Sequence, residues 1–321
     1  MCRRGSPPGV AVKQPLAQQI VSHCVRLARH PPPFGASTHQ NPPSYGAHIH
    51  SQSPDFGALL SAAGQALKSA ALDYSQIINA LDAEIVAFAE TVRRADPAAA
   101  VATCPPWDVG ELVKHTGYSH RWAGEMVRRR VDKVLPFRDV AMGLPADRKE
   151  YPDWLAAGRE PLVATLRAAD PDAAMWAWGA DRHVRFWARR QLFETAIHHA
   201  DAEMALGRQP AVEAATAVEG IDEFLENLPH AAHFAPHVKE LRGNGESLHF
   251  HCTDAEGEWM IQLEPDGFSW EHGHGKGSVA VRGAAADLLL LTYGRLKADD
   301  ARFQRFGDEG VLASWLVNAR I

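Results

Sequence analysis

Glu194 and His198, two residues whose side chains bind metal ions, lie four positions apart in a segment with helical periodicity. At that spacing both side chains lie on one face of an α-helix and can bind one ion. The face continues through Trp187 and Gln191, which indicates that it is directed towards the protein interior. An unpaired carboxylate is costly there. A metal ion would pair with it, and a Glu–His hydrogen bond between helices is the alternative.

His115 is the natural third ligand, because it lies in the middle of the mostly apolar face of another predicted helix. Three protein ligands leave an open coordination position for water or substrate, as catalytic zinc sites do. Nitrogen and oxygen ligands without thiolate suit zinc, and manganese, iron and nickel remain open. A core histidine with an ordinary hydrogen bond is the alternative for His115.

Other reactive residues have simpler explanations. Cys104 lies in a proline-rich loop with no adjacent base in the sequence, which favours a packing role over a nucleophile. His120 is five residues beyond His115 and on a different helical face, which predicts a surface or supporting residue. His249 and His251 share one face of a predicted strand, but no carboxylate or cysteine of fitting spacing joins them, so we expect a solvated sheet face.

The elements that must position the metal ligands are four long helices joined by modest loops, which predict an antiparallel four-helix bundle. Apolar residues at spacings of three and four place these helices at about 75–94, 109–130, 153–168 and 184–206. A further helix covers roughly 211–227. We therefore assign residues 74–229 to the bundle.

Composition changes after Pro236, where apolar and polar residues begin to alternate. Alternation and turn signals predict four strands, at 248–252, 259–263, 268–271 and 278–282. Two helices follow, at 284–293 and 309–316. Residues 236–321 are thus predicted to form a small α+β domain, and the whole chain an α+β protein of two domains.

The N-terminal segment differs from the rest of the chain. Its first 54 residues contain no Asp or Glu and nine of the 21 prolines, so we expect residues 1–73 to be a disordered extension, with a mis-called start as one explanation. The net charge of −6 gives no bias towards nucleic acid or membrane partners. The four cysteines form no CxxC pair, which favours a reducing, cytoplasmic compartment.

Several motifs in order resemble one family. The letters TCPPWDV at 103–109, with LVKH at 112–115, resemble the TCPGWTVxDLxxHxG segment of mycothiol-dependent maleylpyruvate isomerases. FWARR at 186–190, ETAIH at 194–198 and DAE at 201–203 resemble the family's RRMxHETAxHxxDAE. The segments 248–254, 257–259, 281–283 and 287–295 are similar to its C-terminal domain. The resemblance covers roughly 75–318.

The resemblance implies a DinB-like four-helix bundle followed by a sterol-carrier-like α+β domain. It also implies a divalent metal, zinc in the first place, held by His115, Glu194 and His198, with mycothiol as cosubstrate. Such a metal lowers the pKa of a thiol and holds it as the thiolate nucleophile. Arg295, in the family's YGR segment, is the implied catalytic arginine, which could grip a substrate carboxylate. A surface arginine is the alternative.

The chain departs from the family pattern at three positions: Phe193 replaces a histidine, His199 an arginine or similar residue, and Pro106 a glycine. Phe193 and His199 lie off the ligand face, so the metal site is expected to survive while specificity for maleylpyruvate is put in question. The leading hypothesis is a mycothiol-dependent isomerase or S-transferase that binds a small electrophile between the domains. The alternatives are a non-catalytic small-molecule-binding protein and a metal-dependent hydrolase.

Overall fold

The computed structural model describes residues 72–321, so the predicted extension lies outside the described residues except for its last two positions. The first helix, α1 (Tyr74–Val92), begins at Asp73, whose carboxylate accepts a hydrogen bond from the Gln76 backbone N–H. The second, α2 (Val109–Arg129), begins in the same way at Asp108, which accepts from the backbone N–H of Glu111. Such caps satisfy N–H groups that have no partner within the helix.

The third predicted helix is divided in two, α3 (Tyr151–Ala157) and α4 (Arg159–Ala168). Pro161 explains the division, because it has no N–H to donate and its ring crowds the carbonyl four residues earlier, that of Ala157. The two pieces still occupy one side of the bundle, since both pack against α1 and α2.

The fourth helix, α5 (Val184–Ala205), is buried on nearly every side and carries both apolar and polar buried residues. One side packs against α1 and α2. Another side contributes Ile197 and Ala200 to the core of the C-terminal domain. A helix enclosed in this way belongs to the interior of the molecule rather than to its surface, and it presents the predicted ligands Glu194 and His198.

The C-terminal domain contains five strands among the described residues: β1 (Ser247–Cys252), β2 (Glu258–Glu264), β3 (Gly267–His272), β4 (Val279–Gly283) and β5 (Gln304–Gly307). Their order in the sheet is β3-β2-β1-β4-β5, with β1 and β4 parallel and the other pairs antiparallel. The sequence predicted only four. β5 was not predicted because it is a short edge strand whose residues do not alternate between buried and exposed.

Three helices cover one face of the sheet: α6 (Ala214–Asn227), α7 (Ala285–Thr292) and α8 (Glu309–Asn318). The alternation of β1 sets the two faces apart, since Leu248 and Phe250 enter the core while His249 and His251 point the other way. The sequence-based limit at 229 placed α6 with the bundle, whereas its buried residues pack on α7 and the sheet.

The α+β architecture of two domains is confirmed, with a helical bundle first and a mixed sheet second. In the part of the chain that the structure describes, no helix is both long and apolar enough to cross a bilayer.

Candidate metal centre

The three predicted ligands come together between α2 and α5. His115 Nε2 lies 2.8 Å from Glu194 Oε1, and His198 Nε2 lies 3.5 Å from the same oxygen. The three ligand atoms are all within 4.8 Å of one another. The Glu194 side chain is 25% exposed and that of His115 14%, so the cluster is reached by solvent from one side.

The second nitrogen of His198 is also engaged. Its Nδ1 lies 2.9 Å from Oδ2 of Asp201, whose side chain is fully buried. A carboxylate on the far nitrogen fixes the tautomer and orientation of a histidine and leaves its Nε2 lone pair for a metal. Asp201 therefore supports His198, and the DAE motif that contains it gains a physical role.

Asp201 is paired from the other domain by Arg295, which follows α7. The guanidinium donates from Nε to Oδ1 and from Nη2 to Oδ2, each at 2.9 Å. The side chain of Arg295 is only 12% exposed, so the surface-arginine alternative is wrong. The resemblance predicted that Arg295 belongs to the site. In the structure Arg295 contacts Asp201, whose carboxylate in turn bonds to His198.

Cys104 lies closer to the centre than its sequence context indicated. Its thiol donates to Asp201 Oδ2 at 3.2 Å and accepts from Arg295 Nη2 at 3.4 Å. The partner that sequence inspection did not find is the carboxylate of Asp201, 97 positions away on α5. Only the family motif around residues 103–109 signalled that this loop reaches the centre.

Trp107 forms a wall of the centre. Its ring centroid lies 4.8 Å from that of His115 and 5.8 Å from that of His198. Trp107 is 6% exposed, and its indole N–H has no hydrogen-bond partner among the described residues. The indole thus shields the imidazoles from water and carries a donor that a bound oxygen could satisfy.

Arg190 balances the remaining charge. Its guanidinium lies 3.6 Å from Glu194 Oε2, 3.0 Å from Glu223 Oε2 and 3.3 Å from the hydroxyl of Tyr293. Both Glu223 and Tyr293 belong to the C-terminal domain, so this buried arginine links the domains directly behind the centre. Its position also leaves Oε1 of Glu194 directed at the histidines.

Hydrogen bonds outweigh the effect of burial on the pKa of two side chains, His198 and Glu194. Burial alone would lower the pKa of His198, but its hydrogen bonds, led by the one to Asp201, raise it well above the ordinary value. Burial alone would raise the pKa of Glu194, but hydrogen bonds from the two histidines hold it well below the ordinary value. The carboxylate is thus ionised, which is the state that binds a cation.

Two sets of residues at this centre could hold a metal: His115, Glu194 and His198, or Cys104, His198 and Asp201. The second set is unfavourable, because the carboxylate of Asp201 already forms an ion pair with the guanidinium of Arg295. The first set offers two imidazole nitrogens and an ionised carboxylate, which suits zinc and related transition ions. The residues present therefore fit a divalent metal at the predicted position.

The other candidates divide in two. His120 is fully buried and its Nε2 lies 2.8 Å from the hydroxyl of Thr195, so of its two alternatives the surface residue is wrong and the supporting residue stays a prediction. Burial lowers the pKa of His120 to about 3. His199 points away from the ligands, as predicted, and bonds to Glu84 and Thr91. The solvated face expected at His249 is wrong as well, because that histidine is 5% exposed and contacts a carboxylate.

Comparison with known proteins identifies the family of the chain. A helical bundle with a histidine–carboxylate cluster, joined to a small α+β domain, defines the class of the protein. The family model described as the mycothiol maleylpyruvate isomerase N-terminal domain matches residues 78–203, and the one described as the MDMPI C-terminal domain matches residues 215–314. The chain belongs to the mycothiol-dependent maleylpyruvate isomerase family.

Two solved structures are similar to the chain: the crystal structure of the mycothiol-dependent maleylpyruvate isomerase, and that of a mutant of it with a histidine replaced by alanine. Each is 15% identical, covers 73% of this chain and is itself covered over 93% of its length, with TM-scores of 0.45 and 0.46. No curated protein sequence matches the chain.

Proposed function

We propose that this protein is a metal-dependent enzyme that uses mycothiol as cosubstrate and adds its thiolate to a small electrophile. The convergence of His115, Glu194 and His198 carries the proposal, because it provides two imidazoles and a carboxylate with access from solvent. Three protein ligands leave a coordination position open, as catalytic metal sites do and closed structural sites do not. Family membership supports mycothiol as the thiol.

The metal, when bound, would lower the pKa of the cosubstrate thiol and hold it as the thiolate. The protein's own residues do the rest. Asp201 holds the Nδ1 hydrogen of His198 and so keeps Nε2 directed into the centre. Trp107 covers the imidazoles and limits water around the nucleophile.

Arg295 is proposed as the residue that recognises the electrophile. Hydrogen bonds to Asp201, to the backbone oxygen of Tyr293 and to Cys104 engage four of its five N–H donors among the described residues. One Nη1 donor is left for a substrate carboxylate. The pairing with Asp201 also keeps this guanidinium rigid, so that little side-chain entropy is lost when it binds.

The reaction begins with attack of sulfur on the carbon of a polarised double bond, whose π electrons move to the activating group. In an isomerase, the former double bond is now single and rotates, after which the π bond forms again, the C–S bond breaks and the thiolate leaves. In an S-transferase, a proton is added instead and the thioether is released. Phe193 and His199 lie away from the ligands, so they leave both outcomes open to the same metal centre.

The first test is metal analysis of the purified full chain beside Glu194→Gln and His115→Ala. Both variants are expected to lose the metal bound at the bundle, because a divalent ion held by two ligands dissociates readily. Glu90→Gln is the matched control, since Glu90 is 67% exposed and pairs only with Arg93 on α1. Equal metal content in all four proteins would contradict the proposal.

The second test is adduct formation between mycothiol and a panel of carboxylated electrophiles. Turnover is expected to require both metal and mycothiol and to fall at least about a hundredfold in Glu194→Gln, a loss of some 2.7 kcal/mol of transition-state stabilisation. Turnover without mycothiol would instead indicate a hydrolase. A metal-free protein that binds the electrophiles unchanged would indicate a binding protein.

A further inference from the structure

A second cluster of metal-binding side chains lies in the C-terminal domain, on the sheet face that the helices leave uncovered. We call it the sheet-face cluster: His249, His251, Glu258 and His274. One nitrogen of each histidine and one oxygen of the glutamate lie within 4.8 Å of one another. His249 Nε2 is 3.1 Å and His274 Nδ1 2.7 Å from Glu258 Oε2. His251 Nδ1 is 3.0 Å from Oε1.

Strand geometry brings three of the four together. His249 and His251 are two residues apart on β1, so they share the face opposite the core. The antiparallel register places Glu258, the first residue of β2, directly across from His251. Residues opposite each other on one sheet face are in contact distance. Sequence spacing alone could not show this partner, because the register depends on the turn between the strands.

The fourth member comes from the glycine-rich loop 273–277. A Cβ atom at Gly277 would lie 2.7 Å from the carbonyl oxygen of Val279 and 3.1 Å from the backbone nitrogen of His249. No other residue fits so close to the strands. This path returns the loop over the sheet and sets the His274 ring against Glu258, although the His274 side chain is 77% exposed.

The three imidazole rings converge on one point. They meet nearly edge-on, with interplanar angles of 86°, 90° and 79° and centroids 5.8, 5.2 and 6.0 Å apart. The distances of 2.7–3.1 Å to the oxygens of Glu258 show that each ring directs a nitrogen at the glutamate. Arg282, opposite His251 on β4, is exposed, so water screens its charge.

We propose that the sheet-face cluster binds a divalent transition metal, for which zinc is the best fit. Three nitrogens and one oxygen suit zinc, whereas magnesium and calcium take oxygen ligands. Ligand bonds of about 2.0–2.1 Å in a tetrahedron hold ligand atoms about 3.3 Å apart. The observed separations from Glu258, 2.7–3.1 Å, need only small side-chain shifts to reach that value.

The site differs in kind from the centre in the bundle. Four protein ligands complete a tetrahedral shell and leave no position for a substrate, which is typical of structural zinc. The ion ties loop 273–277 to β1 and β2. It therefore holds that loop against two inner strands of the sheet, and it does so whether or not the bundle holds a metal.

The test is zinc titration of the metal-free full chain, with bound zinc counted at saturation. Wild type is expected to bind two equivalents of zinc. Glu258→Gln is expected to keep one equivalent, bound at the centre that contains Glu194. Glu194→Gln is expected to keep the other, bound at the sheet-face cluster. His274→Asn should weaken the sheet-face equivalent at least tenfold, since the loss of even an outer partner of a ligand typically costs about 10–100-fold. His237→Asn is the matched control, because His237 is an exposed histidine of the same domain that bonds to the backbone oxygen of Arg320.

The outcomes separate the two metal proposals. If Glu258→Gln and His274→Asn keep the stoichiometry and affinity of wild type, the cluster is only a hydrogen-bonded group and the inference is overturned. If Glu194→Gln keeps both equivalents while Glu258→Gln loses one, the bundle centre fails and the sheet-face site stands.

A second readout does not involve stoichiometry. Lys276 lies exposed within the loop, and trypsin cleaves after lysine only where the backbone can open. Added zinc is expected to slow cleavage after Lys276 in wild type and in Glu194→Gln, and to leave it unchanged in Glu258→Gln. Equal protection in Glu258→Gln would overturn the structural role.

Discussion

At the scale of single residues, His198 shows how the centre divides its work. Nε2 faces the ligand oxygen of Glu194, and Nδ1 is held by Asp201. Because each nitrogen has a distinct partner, the ring has one orientation and one favoured tautomer. Cys104 shares Asp201 with this histidine, and among the described residues its thiol bonds to Asp201 and Arg295, which are not among the three proposed ligands.

Cys104→Ala is therefore expected to retain its metal and to lose at most about tenfold in kcat/KM for mycothiol, roughly 1.4 kcal/mol. The reason is that the reacting sulfur comes from the cosubstrate. Steady-state kinetics with mycothiol and an electrophile measure it, beside Cys252→Ala, which removes a thiol buried in the other domain. A loss above about a thousandfold with intact metal would make Cys104 the nucleophile.

Sequence patterns indicate which residues lie side by side where one element carries the pattern. Glu194 and His198 follow from helical spacing, and the family motif adds His115. Sequence patterns fail where the partner lies on another element: Cys104 meets Asp201 across 97 positions, and Glu258 meets His251 across a strand pair. Neither helical nor strand periodicity contains the register between elements.

At the scale of elements, a close contact between α2 and α3 explains a glycine in the middle of α2. A Cβ atom at Gly117 would overlap the indole ring of Trp154 on α3. The same ring is covered by Arg121, whose guanidinium carbon lies 3.9 Å from its centroid. Glycine ordinarily weakens a helix interior by about 1 kcal/mol relative to alanine, so its presence here reflects the room that the indole needs.

Gly117→Ala is expected to destabilise the protein by about 1–3 kcal/mol, because overpacking against Trp154 outweighs the gain in helix propensity. Gly124→Ala, about two turns further along α2, is the matched control: its Cβ would lie 3.5 Å from Leu162 Cδ1, an ordinary contact. That variant is expected to gain about 0.5–1 kcal/mol. Urea unfolding measures both, and equal signs would contradict the packing argument.

Element prediction was most reliable for long periodic segments and least for short ones. α1, α2 and α5 begin and end close to their predicted limits, since caps and apolar spacing are local signals. The division between α3 and α4 also has a local signal, because Pro161 could have predicted it from the sequence. β5 is different: its pairing with β4 holds it in place, and its four residues show no pattern of their own.

At the scale of the whole molecule, charged side chains join the two domains around the centre. Arg295 reaches Asp201 from the C-terminal domain, and Arg190 reaches Glu223 from the bundle. All four side chains are 12% exposed or less. Removing one partner of such a pair leaves an uncompensated buried charge, which costs more than the pair itself contributes.

Arg295→Met is accordingly expected to destabilise the metal-free protein by about 3–5 kcal/mol. Asp201→Asn in the same chain should restore part of that loss, because no charge is then left alone, and the coupling energy should exceed about 1 kcal/mol. Urea unfolding of the four proteins measures it. The pair Arg302 and Asp287, which is partly exposed, is the control cycle and should couple by less than about 1 kcal/mol. Additive losses at Arg295 and Asp201 would contradict the interdomain role.

The enclosure of α5 has a consequence for how this protein can be recombined. One helix supplies two metal ligands, the carboxylate that anchors Arg295, and apolar residues in the core of the neighbouring domain. A chimera that exchanges the C-terminal domain for one from a relative must therefore match that surface of α5 as well as the linker. Both domains would have to be transferred together. Exchanging only the C-terminal domain at the linker would pack the surface of α5 against a domain that does not match it.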